Sequence, residues 1–306
     1  MTTADQQARQ GVLFALGAYG IWGFAPIYFK AVAFVPAMEI LTHRILWAFF
    51  FLLALLVASG KIRQIALAFQ SPKQLLLLAF AALLIGLNWL LFIWAVANDH
   101  ILDASLGYYI NPLLNVEIGM LFFSERLRRL QLWAIALAVA GVAVQIITFG
   151  SVPWIALVLA SSFATYGAIR KKLPFDSLTG LFLEVILLLP FMLIYFIGFA
   201  DSSASNLLEN SWKLNSLLIF AGIITTVPLL FFTGAAKRIR YSTLGLFQYI
   251  APSLMFILAV FLYNEPLSAD KLITFVMIWT ALALYSFDAM RTHRQVRQAA
   301  RAIQKN

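Results

Sequence analysis

Of 306 residues, 62% are hydrophobic and only 11% are charged, with a mean hydropathy of +0.89. A soluble domain carries about a quarter charged residues, so this composition excludes one and points to a polytopic membrane protein. The absence of cysteine excludes disulfides, thiolate metal centres and thiol catalysis, three scattered histidines make no convincing metal site, and the net charge of +9 sits mostly in short loops, so neither a cofactor nor a nucleic-acid partner is expected.

A helix rising about 1.5 Å per residue needs about 20 apolar residues to cross about 30 Å of hydrocarbon. Ten stretches meet that need, at 11–29, 36–59, 73–97, 101–123, 130–149, 152–169, 177–199, 213–236, 243–263 and 270–289. The first follows Arg9 and is longer than a signal core, so it is expected to remain as an uncleaved helix. The polar run 200–212 between the seventh and eighth reads as a plain loop. The basic tail 291–306 is expected to form a short helix against anionic lipid headgroups.

All but four of the 22 lysines and arginines fall at Arg9, at 61–73, 126–129, 170–172 and 237–240, and in the tail. Lys30, Lys213 and Lys271 occupy the opposite loop ends, and Arg44 lies inside a helix. The positive-inside rule therefore places both termini in the cytoplasm.

The fourth and ninth segments are copies of one another. Adding 140 to Ile110, Pro112, Glu125 and Leu127 lands on Ile250, Pro252, Glu265 and Leu267, and Leu106-Gly107 returns as Leu244-Gly245 at an offset of 138. Five spans per copy is an odd number, so the halves insert with opposite orientation. The expected architecture is an all-α membrane protein of ten transmembrane helices in an inverted 5+5 repeat, with residues 1–149 and 150–290 as the halves and 291–306 as the tail. Transporters built this way place the solute near mid-membrane, where the halves meet.

The proline-bearing fourth and ninth segments end in Ser124-Glu125-Arg126-Leu127 and Asn264-Glu265-Pro266-Leu267. With ten spans in two halves, they resemble the EamA-type branch of the drug/metabolite transporter superfamily. Trp22-Gly23-Phe24 with Pro26, and His43-Arg44, are similar to the RarD subfamily within it. The resemblance covers nearly the whole chain. It implies a bacterial inner-membrane carrier whose central cavity is built from the first to fourth and sixth to ninth helices. It also implies export of small metabolites or drugs, with chloramphenicol the compound attached to the RarD name.

Ionisable side chains inside a bilayer cost about 2.5 to 3.5 kcal/mol at a helix centre, so each needs a partner, water or a function. Arg44 lies too deep to snorkel outward; it is either an anion anchor in the cavity or half of a structural ion pair. Glu39 shares a helix face with His43 and is either part of the pathway or simply wet. His43 is either a proton-exchanging group or a packing residue. Glu117, whose counterpart is the apolar Ile257, is either a proton-coupling carboxyl or the partner of Arg44 or of an inner-loop base. Glu184 falls at the position of Arg44 in the other half, so a gate between these two opposite charges is attractive.

Pro112 and Pro252 kink their helices, for a cavity or only for packing. Asn111 and Asn115 make a polar stripe under Tyr108, lining the cavity or joining helices. Trp22, Asn88, Trp89 and Gln248 lie at compatible depths. Trp212 and Tyr241 fall at helix ends as interface anchors. Gly17, Gly20 and Gly23, and Ala134, Ala138 and Gly141, permit close packing. Glu125 and Glu265 lie at membrane ends, where capping or surface pairing suits them. Together these residues suggest a secondary carrier moving a small amphipathic or carboxylate-bearing solute by alternating access among membrane lipids. Arg44 would bind an anionic group and Glu117 would exchange a proton. A lipid-modifying membrane enzyme and a channel are the alternatives; neither a catalytic constellation nor a ring of like charges supports them.

Overall fold

The computed structural model describes residues 3–98, 100–150, 153–262 and 269–303. The first half holds α1 (Thr3–Ala31), α2 (Ala37–Ala58), α3 (Ile62–Ala68), α4 (Pro72–Ala97), α5 (Ile101–Phe123) and α6 (Arg129–Phe149). The second holds α7 (Trp154–Lys172), α8 (Ser177–Gly198), α9 (Trp212–Ala236), α10 (Tyr241–Phe247), α11 (Ile250–Phe261) and α12 (Ala269–Ile303). Among the described residues there is no strand. Among the described residues eight stretches are long and apolar enough to cross a membrane, one of them running through α10 into α11, so the chain is a multi-pass membrane protein. The α5 and α7 helices, 23 and 19 residues long, are not among the eight but pack against each other inside the same bundle.

The loops rich in lysine and arginine contact one another at one end of the bundle, the basic end. Lys61 meets Asp176 there at 3.0 Å and Arg128 meets Asp288 at 2.6 Å. α1 packs on α9 as α4 packs on α7, α5 on α7 as α1 on α11, and α2 on α9 as α4 on α8; α2 against α8 and α5 against α10 close the centre. α6 and α12 form a separate pair in which Ala134 and Ala138 are fully buried and Gly141 lies against Met277 and the Thr274 carbonyl. A Cβ built at Gly222 would overlap the Trp47 backbone, so α2 and α9 meet main chain to main chain. Trp133, Ile147 and Ile197 are exposed on the outside, as expected of a surface solvated by lipid.

Four elements differ from what the sequence suggests. The ninth segment is two helices, because Pro252 has no N–H to give the Gln248 carbonyl. The chain tightens ahead of it into three-residue bonds, from the Gln248 N–H to the Gly245 carbonyl at 3.1 Å and from the Tyr249 N–H to the Leu246 carbonyl at 3.2 Å. Pro112, its counterpart, sits buried inside an unbroken α5. The loop after α8 is not plain: it carries a 3-10 turn, Ser203–Ser205, and packs Ala204 and Leu207 against Tyr28 and Val32. The tail does not form a separate helix, since α12 runs 35 residues without interruption and is too long to end at the membrane surface. Finally, α3 adds a short helix in the loop after α2. The Glu265 end of the repeat, 263–268, lies outside the described residues.

Candidate functional site

Arg44 sits seven residues into α2 from its start at Ala37, about 10 Å below the end opposite the basic loops. Its Nε donates to the Thr225 hydroxyl at 2.8 Å, and that hydroxyl donates on to the Ala221 carbonyl at 2.7 Å. The guanidinium carbon is 4.7 Å from the ring centre of Trp89 and 5.5 Å from that of Phe29, so aromatic faces solvate the cation. Tyr28 and Tyr108 lie close enough to interact with it electrostatically. No carboxylate among the described residues comes within 4 Å, and no protein group among them binds its two terminal nitrogens. A desolvated guanidinium normally demands an opposite charge, and this one has none among the described residues.

Trp89, Trp22, Asn88, Phe92 and Tyr108 are half-buried. Tyr108 stands edge-on to Phe92 with centroids 5.9 Å apart, and Trp22 edge-on to Phe163 at 5.7 Å. Asn88 is drawn toward α7, donating to the Leu159 carbonyl at 2.8 Å and to Ser162 at 2.9 Å.

Further along the same face of α5, three side-chain amides form a ladder. Asn111 donates to the Ala160 carbonyl of α7 at 2.6 Å, while Asn115 donates to the Asn111 amide oxygen at 3.1 Å and to the Gln248 amide oxygen at 2.8 Å. Gln248 is delivered by the break between α10 and α11. Tyr249 pins that break to α5 by donating to the Tyr109 carbonyl at 3.1 Å. Tyr109 and Tyr249 are themselves 140 residues apart, one step upstream of Ile110 and Ile250, where the repeat comparison stops short. Gly245 allows this crossing: a Cβ there would lie 2.8 Å from the Pro112 carbonyl oxygen and 2.7 Å from Asn115 Cβ. Pro112 therefore faces α10 in tight packing.

The other charged candidates stand apart from Arg44 and the amide ladder. Glu117 is on the exposed side of α5, since the two-residue step from Asn115 turns it about 200° round the helix. It is neither buried nor aimed at Arg44. Glu39, fully buried, accepts from the Ser202 N–H and hydroxyl and so anchors the loop after α8. His43 is fully buried against Phe196, with centroids 5.6 Å apart and no bond to either ring nitrogen. Glu184 does not meet Arg44. Its carboxylate lies 3.2 Å from Nε of Arg170 and accepts from the Tyr166 hydroxyl at 3.1 Å.

Arg170 is the residue that sequence reasoning missed. Counted as a loop base beside Lys171 and Lys172, it is 0% exposed, because consecutive helical residues point about 100° apart and only Arg170 turns inward. A Cβ built at Gly180 would overlap its guanidinium, so glycine at that place in α8 makes room for it. The unpaired Glu184 was the available signal, since a carboxylate at that depth needs a partner.

The basic end is knit together across the halves. Ser124, with φ of +53°, turns the chain at the end of α5 so that Glu125 folds back onto the start of α10. Glu125 accepts from the Tyr241 N–H at 2.6 Å, the Ser242 N–H at 2.9 Å and the Ser242 hydroxyl at 2.6 Å. Its charge is therefore spent on a helix N-terminus. Tyr241 is no interface anchor: it is fully buried and donates to the Ala164 carbonyl at 2.6 Å. Lys171 donates to the Ala236 and Ile239 carbonyls after α9, while Lys237 donates to the Leu173 and Phe175 carbonyls after α7. Burial and the neighbouring Arg170 push the Lys237 ammonium down to about 8, which leaves it protonated at neutral pH. Replacing Glu125 by Ala should remove all three bonds at a cost of about 0.5 to 2 kcal/mol. The amides of Tyr241 and Ser242 should then exchange hydrogen faster while those of the α6 and α12 pair do not.

The sequence profile of the EamA-like transporter family matches residues 9–147 and, a second time, residues 151–287. The chain belongs to the EamA-like transporter family. A protein named RarD from Salmonella typhimurium is 57% identical over 290 residues, covering 95% of this chain and 99% of that one. An uncharacterized transporter from Vibrio cholerae is 52% identical over 299 residues, covering 98% and 99%. A chloramphenicol-sensitive protein RarD from Pseudomonas aeruginosa is 30% identical over 300 residues, covering 96% and 98%. The EamA family and these names make the chain a membrane transporter of the drug/metabolite superfamily and not an enzyme.

Proposed function

We propose that the chain is a secondary carrier of the bacterial inner membrane that exports a small amphipathic metabolite or drug bearing a carboxylate, or a group shaped like one, by alternating access. One observation carries this reading. Arg44 has its Nε engaged by Thr225 and its faces covered by Trp89 and Phe29, while the outer edge of its fork has no protein partner among the described residues. Two parallel N–H donors on that edge match a planar two-oxygen group. In the other half the equivalent position is Glu184, already neutralised by Arg170. Arg44 thus remains an interior cation with no compensating carboxylate among the described residues.

The inverted repeat is supported by the twofold match of the family profile, by α2 and α8 starting 140 residues apart, and by the way helix contacts exchange partners between the halves. Ten crossings, with α5 and α7 counted as spans, follow from that symmetry. The positive-inside rule puts the basic end and both termini in the cytoplasm. The Glu125, Lys171 and Lys237 bonds then support a conformation closed toward the cytoplasm, with Arg44 on the far side. Export follows the resemblance. Proton exchange through Glu117 forms no part of the reading, because that carboxylate is on the exposed side of α5. Chloramphenicol, named in one relative, carries a planar nitro group of the shape the fork accepts, which makes it a natural second test compound.

Counterflow in proteoliposomes tests carriage. Unlabelled phenylacetate or chloramphenicol inside should drive accumulation of the labelled compound from outside, and an Arg44→Ala variant should lose the phenylacetate signal. A flux that neither saturates nor exchanges would sink the carrier reading.

A further inference from the structure

Arg44 is one place where hydrogen-bonding capacity is left over, and the amide ladder is another; further buried polar atoms without a partner among the described residues, such as the His43 ring nitrogens and the Tyr19 and Thr226 hydroxyls, lie outside both. At its centre Asn115 Nδ2 donates to both neighbours, Asn111 and Gln248. This leaves Asn115 Oδ1 fully buried and without a partner, and the amide nitrogen of Gln248 without an acceptor among the described residues. A buried amide oxygen left unsatisfied costs about 1 to 3 kcal/mol, which a donor group on a bound solute would recover. One free acceptor beside one free NH2 is the complement of a group that both donates and accepts, such as an amide or a hydroxyl.

The two places are connected along α5. Tyr108, which interacts with Arg44, and Asn115 share one face of the helix seven residues apart, a rise of about 10 Å. Tyr108 and Phe92 make the wall at the Arg44 end aromatic and apolar. We infer that the carried anion is bipolar: its carboxylate sits on Arg44, an apolar or aromatic middle lies along Tyr108, and an amide or hydroxyl at the far end, on the order of 10 Å away, bonds to Gln248 and Asn115. This rests on the Arg44 site proposed above. It separates such solutes from compact carboxylates, which reach one pole only.

Isothermal titration of the full chain in lipid nanodiscs, with phenylacetate and with 4-acetamidophenylacetate, tests the inference. The unaltered chain should bind the acetamide about tenfold more tightly. Gln248→Leu should abolish that preference while leaving phenylacetate affinity unchanged. Gln248→Met is close to glutamine in length and removes the free donor, so it should do the same with little disturbance of packing. Arg44→Ala should weaken both compounds in parallel. Equal affinities in the unaltered chain, or a preference that survives both Gln248 variants, would overturn the bipolar solute and leave the Arg44 site standing. If Arg44→Ala changes neither affinity, or if neither compound binds, the Arg44 site fails and the bipolar solute fails with it.

Discussion

Glu184→Gln should destabilise the folded bundle by about 3 to 5 kcal/mol, because it strands the Arg170 guanidinium in the interior with no opposite charge. Arg170 is fully enclosed, and glycine at 180 leaves the side chain no slack in which to withdraw. The Tyr166 hydroxyl, which donates to Glu184, cannot take over as a counter-charge. Changing both members to leucine should cost far less, since a buried ion pair replaced by apolar side chains of similar volume is often neutral or favourable. Unfolding midpoints of the two single variants and the double variant in detergent form a cycle that isolates the pair. A Glu184→Gln protein as stable as the unaltered chain would mean that Arg170 finds another partner.

The second large effect is on binding. Arg44→Ala should weaken phenylacetate about a hundredfold, since two hydrogen bonds to a charged group are worth about 3 kcal/mol together. A neutral analogue such as phenylacetamide should lose much less. Arg44→Lys keeps the charge but loses the fork and its stacking on Trp89, so it should recover only part of the affinity. Titration of the three proteins with both compounds separates the roles. Equal weakening of acid and amide would make Arg44 a structural residue.

Much of the architecture was legible because a bilayer leaves few options. Apolar length gives the helices. The recurrence of proline and glutamate at an offset of 140 gives the duplication, which the twofold family match supports. Depth was legible too, and it drew attention to Arg44, Asn111, Asn115 and Gln248. Rotation about each helix axis was not. Glu117 and Asn115 are two residues apart and face opposite ways, and Arg170 and Lys171 are adjacent yet one is interior and the other reaches helix carbonyls. When every face is apolar, no moment in the sequence says which one looks inward. The break at Gln248 escaped for a related reason: one proline sits inside a continuous α5, and the same proline in the copy splits two helices, according to what packs against each.

Gly180 and Arg170 also behave as a single inherited unit. Any side chain at 180 evicts the guanidinium, an evicted guanidinium leaves Glu184 bare, and a bare carboxylate at that depth would not be retained. Substitution at these three positions should therefore be correlated across relatives. A chain with alanine at 180 should carry a smaller neutral residue at 170 and have lost the acid at 184. Drift at this place is blocked one step at a time and open only through joint replacement.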